Sequence, residues 1–406
     1  MTPTPLGLFK RQTDPHSTFA TACAKRRAHS LVLSGDKTIS SVHTGGVTWL
    51  DLDCVEERYL LAGAADGSVA AYDIQVPVAV DASGAAQHDA VFKVDRGRLG
   101  HAFTVSSVVW YAIDTGLFVS GSFDKTVKVW DTNALRPACE FVLSERVHAV
   151  AMSHCATAHC LVAAGAEDPH VRLCDPASGG FTHVLTGHRG AVWAAAWSRT
   201  SEWHLATGAS DGQVRMWDIR TSGCVRVFDQ HNTSAARPQR RPHRRAGVAG
   251  EQHDAHVTAH DGSVTAVLQT PDGHSWLTAG NDSRVRLWDA RRCRNLLVNY
   301  ADTYNRARKA RQLAACVAAG LLFHSSGSVV QVLDLYTGEL RRLLRGHMDT
   351  ISGLCYHPGL HELYSGAADC QIIVWAPERA TPPEEAPHAA AAPGVTAPPD
   401  QDAWSD

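Results

Sequence analysis

The chain has 406 residues, of which 44% are hydrophobic, so it has enough apolar material for one large core or for two to three ordinary domains. Its formal net charge of −3 excludes a strongly basic nucleic-acid binder and an acidic disordered chain. Eleven cysteines without paired CxxC spacing indicate reduced thiols in the cytosol or nucleus. The longest apolar stretch, residues 313–323, is shorter than the ~20 residues of a membrane helix, and we expect no secretory signal.

Residues 1–27 precede any repeated pattern and predict a short helix. Thr13-Asp14-Pro15 is typical of a helix start, because a capping oxygen is followed by a proline whose missing N–H costs nothing there. Three basic residues at 25–27 favour a helix end at the negative pole of the dipole. Such a helix docks either on its own domain or on a partner, and the pattern leaves both alternatives open.

One pattern recurs along the chain: a strand of small residues, an Asp in a turn, and a second strand that ends in Trp-Asp. The clearest copies are Gly121–Asp131, Gly208–Asp218 and Gly280–Asp289. A unit that buries its apolar face only against its neighbours predicts a repeat architecture. Seven copies are recognised, at residues 43–77, 101–140, 144–183, 187–230, 259–298, 308–342 and 346–375.

The repeats predict an all-β, seven-bladed propeller over residues 28–375. The last blade supplies three strands and would leave an open edge, so residues 28–40 are expected to close the ring. In that arrangement, Leu31–Leu33 pairs with the strand near Ile372–Trp375. The sixth copy keeps only a strand pattern, and the third has Cys174 where Trp is expected.

Two segments do not follow the repeat. Residues 230–257 carry five arginines within 237–245 and no apolar periodicity, so we expect a disordered insertion. Three interpretations stay open for it: a solvated loop, a nuclear import signal, or a nucleic-acid contact, which the absence of aromatic residues for base stacking weakens. Residues 376–406 are rich in Pro, Ala and acidic residues and predict a disordered tail.

The best copies each contain His, Ser or Thr, Asp and Trp at fixed spacing, which are residue types that also occur in Ser-His-Asp hydrolases. The set recurs four times, whereas an active site is needed once. We therefore interpret it as a structural network that satisfies buried polar groups, and we predict no enzyme activity and no cofactor. The four sets are His101, Ser120, Asp124 and Trp130; His188, Thr207, Asp211 and Trp217; His260, Thr278, Asp282 and Trp288; and His347, Ser365, Asp369 and Trp375.

Two His-Cys dipeptides, His154-Cys155 and His159-Cys160, consist of residue types that bind zinc. Adjacent residues of a strand point to opposite faces, which makes a shared tetrahedral site awkward. We therefore predict no metal site.

The third strand of the fourth and fifth copies ends in Trp-Asp-x-Arg, which places Arg220 and Arg291 in loops on one rim. Packing of the blade requires the Trp and the Asp of this pattern but not the Arg. A rim arginine is a common anchor for carboxylates or helix ends of a partner protein.

In a repeat protein of this kind, the pattern resembles that of the WD-repeat substrate receptors of cullin-4 RING ubiquitin ligases. The resemblance extends to the Cockayne syndrome group A family of transcription-coupled DNA repair, through segments spread from Leu8 to Asp406. These segments read LFKRQT, HTGGVTWLD, DTGLFVSGSFDKTVKVWDTN, HCLVAAG, LTGH, LATGASDGQVRMWDIR, DQHN, LVNY, ELYSGAADC and DAWSD. The insertion at 230–257 and the middle of the first helix, His16–Cys23, depart from the family.

The resemblance implies a nuclear, non-catalytic receptor that acts in transcription-coupled nucleotide-excision repair. It implies that residues 1–27 and one rim join the ligase's multi-propeller adaptor, which leaves the other face for a Swi/Snf-type repair ATPase and RNA polymerase II as substrates. It implies no sequence-specific nucleic-acid binding and no membrane association. The residues that it assigns to the adaptor are Phe9, Lys10, Arg11, Asp218, Arg220 and Arg291.

Two other functions stay open from the sequence. A WD-repeat scaffold of another multiprotein complex would need neither Arg220 nor the N-terminal helix. A nucleic-acid-binding protein would show binding that falls steeply with salt.

Overall fold

The computed structural model describes residues 17–80, 84–97, 99–221, 223–233, 257–300 and 302–378. Several predictions lie outside these residues: Phe9, Lys10 and Arg11, most of the insertion predicted at 230–257, and the tail from residue 379. Within the described ranges, helix α1 (Ser17–His29) is the one α-helix, and no helix is long and apolar enough to cross a membrane.

Strands β1 to β31 form eight sheets; we number the seven four-stranded sheets by the place of their first strand along the chain, and the three-stranded sheet is sheet eight. Sheets one and two consist of β3 (Val47–Leu52), β4 (Tyr59–Ala64), β5 (Val69–Asp73) and β8 (Ala90–Val94), and of β9 (Val105–Trp110), β10 (Leu117–Ser122), β11 (Thr126–Asp131) and β12 (Arg136–Val142). Sheets three and four consist of β13 (Val147–Met152), β14 (Val162–Ala166), β15 (His170–Asp175) and β16 (Gly180–Thr186), and of β17 (Val192–Trp197), β18 (His204–Ala209), β19 (Val214–Asp218) and β20 (Cys224–Val227).

The remaining four-stranded sheets follow the same antiparallel order. Sheets five and six consist of β21 (Val264–Gln269), β22 (Ser275–Gly280), β23 (Val285–Asp289) and β24 (Arg294–Asn295), and of β25 (Leu313–Cys316), β26 (Leu321–Ser326), β27 (Val329–Asp334) and β28 (Leu340–Arg345). Sheet seven consists of β29 (Ile351–His357), β30 (Glu362–Ala367), β31 (Ile372–Pro377) and β1 (Leu31–Leu33). Sheet eight consists of β2 (Lys37–Ile39), β7 (Ala86–His88) and β6 (Ala79–Val80).

The prediction of seven blades is wrong, because the all-β propeller has eight sheets in its described residues. Sheet eight is three-stranded, and its β2 pairs with β7 in parallel. It arises because the connection from β5 to β8 in the first repeat is long enough to form β6 and β7, and the segment after β1 supplies the third strand. These strands lack the repeat pattern, so counting copies of that pattern missed the eighth blade.

The order of burial within a sheet explains why the strand sequences differ. The first strands contact one another around the central axis, so they are covered on both faces, and every residue of Val105–Trp110 is buried. Fourth strands lie at the outside, and Arg136–Val142 alternates between exposed and covered residues for most of its length. The core is divided into clusters between neighbouring sheets, with Trp217 and Trp288 among the fully buried side chains.

The N-terminal segment closes sheet seven. Leu31, Val32 and Leu33 pair antiparallel with Pro377, Ala376 and Trp375, which is the partner strand that the sequence predicts for this segment. Leu31 is buried among residues of sheets six and seven. The pairing satisfies the backbone edge of β31 that would otherwise be open.

Strand direction defines two faces of the ring. The loops after the first and third strands of each four-stranded sheet lie on one side, which we call the lower face, and the loops after the second and fourth strands lie on the upper face. Arg220 and Arg291 follow the third strands of sheets four and five, so both lie on the lower face. The residues that flank the undescribed part of the insertion, up to Thr233 and from Val257, follow the fourth strand and lie on the upper face.

Candidate functional site

Each of the four His–hydroxyl–Asp–Trp sets lies within one sheet and forms a chain of hydrogen bonds. In sheet four, Trp217 Nε1 donates to Thr207 Oγ1 at 2.8 Å, and His188 Nε2 lies 2.8 Å from the same oxygen. His188 Nδ1 lies 3.4 Å from Asp211 Oδ2. The corresponding Trp-to-hydroxyl distances in sheets two, five and seven are 2.7, 2.9 and 2.8 Å. The hydroxyls are buried and fully engaged, so these sets hold the blades together and offer no free nucleophile.

The Asp at the outer end of this network stays ionised near neutral pH. Burial alone would raise the pKa of Asp282, but the hydrogen bonds and charges of His260 and Arg286 hold it well below its usual range. Burial lowers the pKa of His260 itself. The Asp is thus an ionised acceptor that orients a neutral His.

Sheet three lacks this network. Leu143 lies four residues before Val147, just as His188 lies four residues before Val192, and Ala164 and Cys174 take the positions of the hydroxyl and the Trp. The His, the hydroxyl and the indole N–H are therefore replaced together by groups that need no strong partner. The remaining Asp168 pairs instead with Arg172 at 2.7 Å.

The two His-Cys dipeptides make contacts within the protein. His159 Nε2 lies 2.8 Å from the carbonyl of Glu202, and Cys160 Sγ lies 3.6 Å from Asp175 Oδ1. Cys155 Sγ lies 3.4 Å from the carbonyl of Ser198. Among the described residues, no three His, Cys, Asp or Glu side chains are grouped so that they could hold a metal ion.

Arg220 is held in place at the lower face. Its Nε donates to Asp218 Oδ1 at 3.0 Å and its Nη2 to Asp218 Oδ2 at 2.8 Å, which is a bidentate pair. The guanidinium carbon lies 5.6 Å from the ring centre of Trp203, so the charge also rests on an aromatic face. The pKa of Asp218 is lowered, first by the hydrogen bond from Arg220. Arg220 nevertheless stays 56% exposed and available to a partner.

Arg291 has the same place in sheet five but a different environment. Asp289 Oδ1 accepts the backbone N–H groups of Arg291 and Arg292, each at 2.8 Å. Within the part of the chain that the structure describes, the exposed guanidinium of Arg291 makes no hydrogen bond or ion pair. The two arginines therefore differ: one is fixed by its own sheet, and the other is free.

The loop before the second strand explains this difference. The N–H of Ile219 donates to the carbonyl of Trp203 at 3.0 Å, and the N–H of Ala290 donates to the carbonyl of His274 at 2.9 Å. His274 therefore occupies in sheet five the position that Trp203 has in sheet four. An indole supports a guanidinium at this position in sheet four, and sheet five has an imidazole instead.

A cleft of about 620 Å³ lies between the two turns that carry Arg220 and Arg291, which we call the Arg220 corner and the Arg291 corner of the lower face. We call this cleft the rim groove. Met216 and Trp276 are its buried floor, and residues from both sheets form its walls. Its walls include Ser201, His204, His274 and Arg291.

Helix α1 lies on the same face, at sheet seven. Arg27 Nη2 donates to the carbonyl of Leu360 at 3.3 Å, in the loop between β29 and β30. Ala24 and Ala28 are the buried residues of its second half, and Lys25, Arg26 and Arg27 are exposed. The lower face thus carries α1 at sheet seven and the two arginine corners at sheets four and five.

Sequence reasoning found the arginines but missed what surrounds them. It gave no role to Trp203 or His274, because these residues lie in loops outside the repeat pattern, and none to His204, the first residue of β18. The signal that was available is positional: each loop residue immediately precedes the second strand, whose start is paired with the Trp-Asp end of the third strand.

The repeat network agrees with what comparison to known proteins finds. The family profile of the WD domain, G-beta repeat, matches residues 94–131, 179–218, 252–289 and 338–376. The "WD repeat-containing protein ATCSA-1" of Arabidopsis thaliana is 39% identical over 413 residues, which covers 89% of this chain and 92% of that protein. The chain belongs to the WD-repeat family. The likeness to ATCSA-1 extends over almost the whole of this WD-repeat protein.

Other relatives match only a part of this WD-repeat protein. The "Ribosome biogenesis protein WDR12 homolog" of Arabidopsis thaliana is 31% identical over 137 residues, 33% of this chain and 31% of that protein. The "Radiation-sensitive protein 28" of Saccharomyces cerevisiae is 29% identical over 126 residues, 30% of this chain and 25% of that protein. A match of this length spans only a few repeats and carries little about function.

Proposed function

We propose that this WD-repeat protein is a Cockayne syndrome group A type receptor, the non-catalytic substrate-recognition subunit of a cullin-4 RING ubiquitin ligase in transcription-coupled nucleotide-excision repair. The observation that carries the proposal is the 39% identity to ATCSA-1 over nearly the full length of both chains. The WDR12 homolog of the same organism, by contrast, matches over 33% of this chain, and a shared fold alone carries little about function.

The lower face is the surface that we assign to the ligase's multi-propeller adaptor. Arg220 is presented on Trp203 with its geometry fixed by Asp218, which reduces the entropy lost when a partner binds. Helix α1 lies on the same face at sheet seven. Phe9, Lys10 and Arg11 precede that helix, and a contact between them and the adaptor stays part of the proposal.

The upper face is then left for substrates, for which we propose a Swi/Snf-type repair ATPase and RNA polymerase II in the nucleus. The described residues on either side of the Arg-rich segment, Thr233 and Val257, lie on this face. The proposal includes no sequence-specific nucleic-acid binding, no membrane association, no cofactor and no catalysis.

Purification of the tagged full-length protein from cells is the test. We expect the cullin-4 adaptor to copurify with the wild-type protein and to be lost, together with the cullin, when Arg220 is replaced by Ala in a protein that still folds. A scaffold of another complex is the alternative function. Copurification of a ribosome-assembly complex without the adaptor would favour that alternative and reject the ligase role.

A further inference from the structure

A run of basic residues lies on the upper face, beside the central channel of the ring. Its four cations, Arg306, Arg308, Lys309 and Arg311, belong to the connection from β24 to β25. This connection follows a fourth strand, so it is on the opposite side of the ring from the two arginine corners. We call residues 303–312 the basic loop. It concentrates positive charge on the face that the lower-face contacts leave free.

Hydrogen bonds to sheet five hold the basic loop in place. Asn305 Nδ2 donates to Thr265 Oγ1 at 2.8 Å and to the carbonyl of Gly280 at 3.1 Å. At the other end of the loop, the N–H of Arg311 donates to the carbonyl of Thr265 at 2.9 Å. A backbone that is already fixed preorganises the cations of the loop, because little conformational entropy is lost when a ligand binds.

Lys309 lines a cavity of about 180 Å³ at the upper end of the channel, which we call the upper cavity. Other walls come from the upper ends of first strands, among them Thr48, Ser106, His148 and Ser352. The hydroxyls of Thr48 and Ser106 donate to backbone carbonyls. None of the described residues that line the cavity is acidic. The cavity therefore presents a cation without an anion to balance it.

Arg311 adds a second positive charge next to the upper cavity. Its Nη1 donates to the hydroxyl of Ser352, a wall residue, at 3.2 Å, and to the carbonyl of Ile351. Its Nε and Nη2 and the ammonium group of Lys309 have no hydrogen-bond or ion-pair partner among the described residues. Burial lowers the pKa of Lys309 and the charge of Arg311 lowers it further, whereas Asp349 acts in the opposite direction. Two neighbouring cations without an ion pair are unfavourable in a cavity, and a bound anion would stabilise both.

The number of charges indicates which class of anion fits the upper cavity. A carboxylate carries one negative charge and would leave one of the two cations unbalanced. A phosphodiester also carries one charge per phosphate. A phosphomonoester carries about −1.5 to −2 charges near neutral pH, and its three acceptor oxygens match the donors of an ammonium group and a guanidinium. The cavity therefore fits the phosphate of a phosphorylated side chain best.

We infer that the upper cavity binds a phosphorylated side chain of a substrate protein, with the phosphate oxygens on Lys309 and on the free donors of Arg311. The inference rests on the proposed function for the assignment of the upper face to substrates. Substrate binding at this face then depends on whether the substrate is phosphorylated.

The test measures peptide binding by the full-length protein. The probe is a short fluorescein-labelled peptide of Gly and Ala with one central phosphoserine, and binding is followed by anisotropy. The same peptide with glutamate or with serine at the centre is the reference. We expect the phosphoserine peptide to bind about tenfold or more tightly than the glutamate peptide, and the serine peptide to bind most weakly. Equal binding of the three peptides would overturn the inference.

Variants of the basic loop show whether the upper cavity is the binding site. Lys309→Gln removes a cation of the cavity, Lys309→Arg keeps the charge, and Arg308→Gln is the matched control at an exposed residue that does not line the cavity. We expect Lys309→Gln to weaken binding of the phosphoserine peptide about tenfold or more, Lys309→Arg to retain most of it, and Arg308→Gln to bind as wild type. An equal loss in Lys309→Gln and Arg308→Gln would contradict the inference, because the overall positive charge of the loop would then explain binding.

Two further probes distinguish the sources of a phosphate group. Inorganic phosphate that binds as tightly as the phosphoserine peptide would assign the cavity to the free ion and overturn the role of a substrate side chain. Labelled oligothymidylate whose binding falls in Lys309→Gln but not in Arg308→Gln would assign it to nucleic acid, which would also overturn the inference. Adaptor binding is measured separately, and we expect Lys309→Gln to bind the adaptor as wild type does. A wild-type protein that fails to bind the adaptor would reject the proposed function and leave the peptide result unchanged.

Discussion

Sheets four and five reach the lower face with the same pattern, Trp-Asp-x-Arg, but they hold its arginine in different ways. In sheet four, Asp218 binds the guanidinium of Arg220 in bidentate fashion, and Trp203 lies under it. In sheet five, Asp289 accepts backbone N–H groups of its own turn, and the guanidinium of Arg291 has no hydrogen-bond or ion-pair partner among the described residues. The buried networks beneath the two corners are alike, with indole-to-hydroxyl distances of 2.8 and 2.9 Å.

The difference shows that the four-residue pattern does not determine the presentation of its arginine. The deciding residue is in another loop, immediately before the second strand, where sheet four has Trp203 and sheet five has His274. A preorganised arginine favours binding by reducing the entropy that is lost, whereas a free arginine adapts to its partner. One motif thus gives a fixed contact and an adaptable contact on a single surface.

The largest expected effect comes from removing Trp217, the buried side chain beneath Arg220. Trp217→Ala opens the core beneath Arg220 and leaves the hydroxyl of Thr207 without its donor, so we expect a loss of about 3–5 kcal/mol of folding stability. Cys174→Ala at the equivalent position of sheet three, which has no such network, is the control and should cost about 1 kcal/mol. Chemical denaturation measures both, and a loss of about 1 kcal/mol or less for Trp217→Ala would contradict the structural role of this side chain.

A reciprocal exchange of the loop residues tests the comparison itself. Trp203→His should release Arg220, and His274→Trp should give Arg291 a platform. We expect the first variant to weaken adaptor binding about two- to fivefold without a change in fold, since it removes one cation–π contact. Crystal structures of both variants would show whether the arginines exchange their states. If both guanidinium groups keep their wild-type contacts in these variants, the turns that carry the arginines cause the difference, and Trp203 and His274 do not.

A smaller effect concerns pH. Arg220 lowers the pKa of Asp218 in the folded protein below its unfolded value of about 3.9. The pair therefore stabilises the fold above about pH 4, and the contribution is lost as the pH falls through the lower folded pKa. The difference in melting temperature between wild type and Asp218→Asn should be constant from about pH 7 to about pH 5 and shrink below about pH 4. A difference that is unchanged down to about pH 2 would contradict this role of Arg220.

The repeat pattern predicted most of the fold, because the same residues that recur in the sequence recur in the structure. The Asp, His, hydroxyl and Trp of sheets two, four, five and seven are bound as their spacing suggests, and Leu31 pairs at the end of β31. The eighth sheet could not be found in this way. Its strands, such as Lys37–Ile39 and Ala86–His88, are short, unrelated to the repeat and paired in parallel across a long separation in the chain.

The candidate site was only half predictable. Arg220 and Arg291 stand out in the sequence because packing does not require them. Their different environments depend on Trp203, His274 and the groove between two sheets, which are contacts between loops that share no local pattern. Spacing in the sequence predicts contacts within one blade. It does not predict contacts between loops of two neighbouring blades.

The most direct test of the lower face as the adaptor-binding surface is a double-mutant cycle of adaptor affinity with Arg220→Ala, Arg291→Ala and the double variant, with melting temperature measured beside it. Both arginines lie on one surface, and the proposal has them contact different parts of the adaptor. The account therefore predicts that each single change weakens adaptor binding about tenfold or more and that the losses combine in the double variant. The melting temperature should fall by no more than the loss of the exposed Arg220–Asp218 pair explains. Adaptor binding at wild-type affinity by the folded double variant would contradict the account, because neither corner would then belong to the interface.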